Sequence, residues 1–427
     1  MNMIKDIPEL VNAGVISQET ADKIRTYYQE KGGQSTNRLF IVFGILGAIL
    51  VGLGIILIIA HNWDELSRTT KTLFAFLPLL VGQVLCAFVL IKKQDSVAWR
   101  ESATAFLFFA VGASISLVSQ IYNIPGNLST FLLTWMLLCL PLIYVMKSSI
   151  ASLLYLIGIT QYAAETGYWS YPSSESYYYW LLLLAIIPHY YTLYKKKPES
   201  NFMIFHNWLI PLSVTAILGT VAKSTSELMF VAYISFLGLI YLIGELDFFT
   251  KQKPRNNGYK ILGFLGTIGL LLALSFDWFW EVLRGEGFLF NDVIASPEFF
   301  ASAILSLLAG GLLVLQLKNK SLNDMKPIMP VFILFIITFI IGLSSSFSVV
   351  LINILVFAIG ILTIRDGAKQ DSLGILNSGL LIITALVICR FFDTDLSFVI
   401  RGILFLSVGI GFFAINYWML KKRKLND

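Results

Sequence analysis

The residues of this chain that could do chemistry are few, and they gather at the ends of apolar runs. His61, Asn62, Trp63, Asp64 and Glu65 follow the first run, Gln120 and Tyr122 close the third, and Arg390, Asp393, Asp395 and Arg401 bracket the gap before the last. Carboxylates beside a histidine could serve as a base or hold a metal at a membrane face, and a pair of arginines could grip a phosphate or carboxylate through paired N–H donors. Gln120 and Tyr122 offer uncharged hydrogen-bonding groups to a cavity or a neighbouring helix. These positions form the candidate binding set, and they make a mixed-charge vestibule if the loops that carry them converge. The plainer reading of most of the charges is that they are water-facing helix ends. For Arg390 and Arg401 it is pairing with Asp393 and Asp395.

No catalytic residue, cofactor or metal is assigned. The chain has no P-loop, no HExxH, no GxSxG and no glycine-rich dinucleotide loop. Its three histidines, His61, His189 and His206, are scattered. Cys86, Cys139 and Cys389 lie inside apolar runs without CxxC spacing, which suits small apolar packing.

The elements that position these residues are read from composition. Of 427 residues, 57% are hydrophobic and 13% charged, about half the charge of a soluble domain. The run from Leu39 to Ala60 has no charge and is long enough to cross a hydrocarbon core of about 30 Å. Runs of this kind recur at approximately 39–60, 71–91, 101–121, 128–146, 149–165, 177–194, 204–222, 227–246, 259–280, 298–317, 328–343, 346–364, 373–391 and 397–420. The expected fold is an all-α polytopic transmembrane helical bundle of about fourteen spans, residues 38–427, behind a short N-terminal cytoplasmic helical hairpin, residues 1–37. The hairpin turns at Gly14, with Ser17 placed to cap its second helix and Glu19 in the first turn.

Charge fixes the orientation. With the N-terminus inside and fourteen spans, Arg68, Lys71, Lys223, Arg284, Arg390 and Arg401 fall outside, and the other 25 of the 31 Lys and Arg residues fall inside. Both termini are therefore expected in the cytoplasm, in a bacterial inner membrane. Rows of small residues at Gly44/Ala48/Gly52, Gly263/Gly266/Gly269 and Gly402/Gly409/Gly411 invite close helix approach. The aromatic stretch Gly167–Trp180 suits an interfacial belt or a sugar or lipid headgroup.

Ala13-Gly-Val-Ile-Ser17, the glycine-rich first run and Ala60-His-Asn-Trp63 resemble the DUF2157 group of bacterial membrane proteins. Ser119-Gln-Ile-Tyr-Asn-Ile-Pro-Gly126 and Trp135 through Leu140-Pro141-Leu-Ile-Tyr144 are similar to the family's next blocks, with Asn123 standing where the family has His. Asn377-Ser-Gly379, Arg390-Phe-Phe-Asp393, Arg401-Gly402 and Asn416 resemble the tail of these and the related DUF4401 proteins. The resemblance implies a multi-pass membrane protein and names no reaction.

Three functions fit. The one favoured is a transporter or flippase of an amphiphilic or lipid-linked anionic substrate. The second is a membrane-embedded transferase acting at the outer face through Asp64 or Glu65. The third is a non-catalytic scaffold or sensor whose hairpin recruits a protein partner. The expected partners are the lipid bilayer and an amphiphilic small molecule; nucleic acid is not implied.

Overall fold

A computed structural model describes residues 3–24, 26, 42–47, 49–51, 53–54, 57, 66–169, 173–223, 226–285, 293–319, 325–392, 397–399, 401–403, 405–407, 409–411, 413–414 and 417. These residues are helical with short connections, and no strand occurs among them. The described helices group into two compact units, residues 1–165 with 178–196 and residues 166–177 with 197–427.

The first unit opens with α1 (Met3–Asn12), which ends at Gly14 in the left-handed region, φ 69°. Ser17 Oγ then accepts from Thr20 N at 3.2 Å and starts a helix at 18–24, with Lys23 paired to Glu19. The turn and cap therefore fall where the sequence places them. The unit continues with α2 (Arg68–Lys92), α3 (Val97–Tyr122), α4 (Leu128–Val145), α5 (Ser149–Ala164), α6 (Tyr178–Leu184) and α7 (Ile187–Lys196).

The second unit holds α8 (Asn201–Ile217), α9 (Met229–Gly244), α10 (Gly258–Ala273), α11 (Trp278–Gly285), α12 (Pro297–Asn319), α13 (Val331–Gly342), α14 (Phe347–Lys369) and α15 (Leu373–Phe391). Helix α9 lies at its centre, packed against α10, α12 and α13. The core there is built on Ile234, Phe279, Trp280, Phe335 and Ile352, each at most 2% exposed.

Helix starts follow a common rule. The side chains of Ser67, Asn127, Ser148, Ser200, Asn257 and Ser372 each accept from the backbone N–H three residues on. Each satisfies a donor that the first helical turn leaves open.

Among the described residues, eight helices are long and apolar enough to cross a membrane, or nine if α10 and α11 count as one span bent by 72°. The expected count of about fourteen is not reached, for reasons that differ by segment. The first and last expected spans are described only in part. The fifth, α5, has 16 residues, or about 24 Å at 1.5 Å per residue. The eleventh, α13, has 12 and follows Pro330. The sixth is divided into α6 and α7, because Pro188 lacks an N–H and its ring clashes with the carbonyl of Leu184.

The glycine rows differ in use. A Cβ on Gly263 would stand 2.7 Å from Leu237 O on α9, and one on Gly266 would stand 2.5 Å from Leu237 Cδ2. That row therefore seats α10 on α9. Around Gly269, Gly402, Gly409 and Gly411 nothing lies within 4 Å, so the expected row in the last segment makes no close approach among the described residues.

Candidate functional site

In the first unit, α2, α3, the 123–127 connection and the start of α4 enclose a crevice of about 1020 Å³. Three features shape it. Ser114 Oγ donates to Ala75 O at 2.6 Å and pins α3 to α2. Trp135 Nε1 donates to Phe108 O at 2.8 Å and pins α4 to α3. Asn123 closes α3 in the left-handed conformation, φ 51°, which turns the chain sharply towards Asn127. Asn127 Oδ1 then takes Thr130 N at 2.8 Å and Thr130 Oγ1 at 2.7 Å, starting α4.

The lining divides into two kinds of surface. Phe76, Leu79, Val111, Phe131 and Leu138 are apolar, whereas Gln83, Ser119, Gln120, Asn127, Thr130 and Thr134 are neutral and polar. No ionisable side chain lines it among the described residues. Several hydroxyl protons are already committed: Ser119 donates to Ile124 O, Thr130 to Asn127 and Thr134 to Thr130 O. What remains is acceptor oxygen together with the carboxamide N–H groups of Gln83, Gln120 and Asn127 and the Ser116 hydroxyl. Such a wall can exchange hydrogen bonds with hydroxyl groups, and none of its described side chains is ionisable. Gln120 is a predicted site residue that the structure places here. Gln83 was missed, although it is the one polar side chain in the otherwise apolar stretch 73–91 of α2.

A smaller slot of about 500 Å³ is lined by Arg68, Thr69, Thr72, Leu73, Leu77 and Tyr122, and it shares Phe76 with the crevice. The Arg68 guanidinium lies 4.7 Å from the centroid of the Tyr122 ring. Thr72 donates to Arg68 O at 3.0 Å, so across the 3.2 Å contact with Thr72 it is Tyr122 that donates. Tyr122, the second predicted residue found here, therefore anchors a cation at the head of an apolar groove.

At the opposite end of α3, Glu101 is fully buried. Its carboxylate accepts from Ser148 Oγ at 2.5 Å, Ile150 N at 2.9 Å and Ser149 N at 3.3 Å, with Arg100 at 3.5 Å. A negative charge here meets the open donors and positive dipole end of α5. His189 Nε2 reaches Ser149 Oγ at 3.2 Å and adds α7 to the cluster. This knot holds helices together and was not foreseen, because Glu101 stands at a run boundary and reads as a water-facing end.

Arg390 belongs to the second unit and lies at the break between α10 and α11. Unwinding at 274–277 frees carbonyls, and side chains take them up. Ser275 Oγ donates to Leu272 O at 2.6 Å, Trp280 Nε1 to Leu274 O at 2.8 Å, and Asn353 Nδ2 to Ser275 O at 3.0 Å. Arg390 Nη2 donates to Ser275 Oγ at 3.2 Å, with its guanidinium carbon 4.5 Å from the Phe276 centroid. Arg401 lies 5.0 Å from the Phe398 ring centroid and 5.9 Å from that of Phe391. Both arginines therefore rest on rings. The carboxylates expected beside them, Asp393 and Asp395, and the turn His61, Asn62, Trp63, Asp64 and Glu65 lie outside the described residues.

Residues 8–152 match the family model of DUF2157, described as a predicted membrane protein. The match takes in the N-terminal helices and the whole lining of the crevice. The C-terminal stretch, for which the sequence suggested a resemblance to DUF4401, lies outside the match. No curated protein and no solved structure matches the chain.

Proposed function

We propose that this multi-pass membrane protein is a transporter or flippase of an amphiphile whose hydroxyl-rich head is joined through an anionic group to a hydrocarbon chain. The observation that carries this reading is the adjacency, across Phe76, of the acceptor-rich crevice and the apolar slot headed by Arg68. In this reading the crevice takes the head, Gln83 and Gln120 orient it, Arg68 and Tyr122 hold the anion, and Leu73 and Leu77 meet the chain. Neutral walls favour carriage over chemistry, because a transferase needs a base, nucleophile or metal within reach of the bond it changes. Arg390 is given a supporting role at the broken helix. The membrane is taken to be the bacterial cytoplasmic one, with both termini inside and residues 1–37 as a cytoplasmic packing element able to meet a protein partner.

The test is a two-part measurement on the purified full-length protein. Lipids retained through purification are identified by mass spectrometry, and a headgroup-fluorescent anionic lipid is followed in proteoliposomes by bleaching from the outside. The expected result is a retained hydroxylated anionic lipid that is lost in the Gln83→Leu, Gln120→Leu variant, with bleaching beyond the outer-leaflet half only when wild-type protein is present. Bleaching that stops at the protein-free level would overturn the proposal.

A further inference from the structure

The second unit has a crevice of a different kind, about 810 Å³, lined from α9, α11, α12 and α13. Its polar lining consists of Arg284, Ser302 and Ser306. The two serines are already engaged, Ser302 donating to Leu228 O at 3.1 Å and Ser306 bonded to Ser235 at 2.8 Å. The remaining surface is hydrocarbon and aromatic, including Val231, Phe299, Leu307 and Phe339. Along α12 it runs from Phe299 to Leu307, eight residue steps or about 12 Å of helix. Its volume lies within the range of about 300–1,000 Å³ usual for ligand sites.

Arg284 stands at one end of this slot and has capacity to spare. Its Nη2 pairs with Asp277 at 3.0 Å, which fixes the guanidinium in place. Its Nη1 is buried without a hydrogen-bond partner among the described residues. A buried donor on a charged group is costly to leave open. An anionic oxygen would satisfy it, and guanidinium geometry suits phosphate. The sequence already marks this arginine as one of the six cations on the side opposite to the positive trend.

We propose that this crevice binds an anionic phospholipid, with one acyl chain between α12 and α13 and the phosphate on Arg284. The wall selects for that chemistry: among the described residues, one polar end meets one open guanidinium nitrogen, and the rest of the lining is apolar or already hydrogen-bonded. The site is separate from the crevice in the first unit, and it stands whether or not that crevice transports.

The probe is a pair of lipids, phosphatidylglycerol and phosphatidylcholine, carrying the same photoreactive acyl chain, in nanodiscs with the full-length protein. Cross-links are mapped by mass spectrometry. The expected result is labelling of residues 299–307 and 336–343 at least five-fold stronger with phosphatidylglycerol. Arg284→Gln should bring the two lipids level, Arg284→Lys should keep part of the preference, and Ala303→Trp should fill the slot and remove both labels. Equal labelling by the two lipids in the wild type would overturn the proposal. So would the absence of label from the slot, the outcome if a second copy or another segment covers it. If Arg284→Gln does not fold, Ala303→Trp decides, and persistent labelling there counts against the site. No arm reads transport, so failure here is distinguishable from failure of the transport reading.

Discussion

The carboxylate of Glu101 illustrates how much a single side chain can organise inside a membrane protein. It comes from α3, yet its oxygens are occupied by the first turn of α5, through Ser148 Oγ, Ser149 N and Ile150 N. Removing it opens three donors in a buried setting, and each hydrogen bond to a charged group contributes about 1.5–3 kcal/mol. Glu101→Ala is therefore expected to destabilise the first unit by about 3 kcal/mol or more, and Glu101→Gln by less, because an amide oxygen still accepts. Unfolding monitored by circular dichroism in mixed micelles measures both. Equal stability of all three proteins would show that water or detergent replaces the carboxylate. The residue was invisible as a cap in the sequence, because its partners lie 47 to 49 positions away and no periodicity links them. Gln120 and Tyr122 were legible for a different reason: polar groups that close an apolar run stand out against it and need a polar neighbour or a wet cavity. Arg390 and Arg401 were marked in the sequence as an anomaly of charge, and the rings beside them gave no sign there, being ordinary apolar residues.

Among the elements, uninterrupted apolar runs translate directly into helices. The run at 71–91 is Arg68–Lys92, that at 128–146 is Leu128–Val145, and that at 373–391 is Leu373–Phe391. Length of a run does not report whether the helix inside it is straight. The ninth run bends by 72° between α10 and α11, and its only sequence trace is Asp277 next to two tryptophans. The bend is held by the polar ends of large side chains, Trp280 above all, which is fully buried and donates to Leu274 O. Trp280→Phe keeps most of the packing and leaves that carbonyl open, at a cost of about 1–3 kcal/mol. The expected reading is a melting temperature lowered by several degrees without loss of helix content, and an unchanged melting temperature would mean that the carbonyl finds another donor. Caps are a more local matter: Ser17 was read as one from the sequence, and Ser or Asn just before the first turn does the same at six other helices without having been singled out.

For the whole molecule, composition decides the solvent and charge asymmetry decides the direction. The sequence expectation of 25 cations on one side against six on the other rests on the span count, so direction and count are tested together. Single cysteines introduced at Asn127 and Lys147, at the two ends of α4, should differ in reaction with an impermeant maleimide applied to intact cells. Asn127→Cys is expected to label and Lys147→Cys to label only after permeabilisation. The opposite pattern would invert the orientation proposed for the first unit. The native Cys86 and Cys139 are buried and would contribute little background.

The broken helix in the second unit also has a consequence for descent. Ser275, Trp280 and Asn353 take up the carbonyls freed at one gap in one backbone, and Arg390 donates to the hydroxyl of Ser275. A lineage that loses Ser275, Trp280 or Asn353 leaves an open carbonyl at the bend, one that loses Arg390 leaves the Ser275 hydroxyl without that donor, and one that straightens the helix has no use for the set. The four positions should therefore be inherited as a single character: among relatives, Asn at 353 and Arg at 390 should appear together or be replaced together, whatever the surrounding apolar residues do.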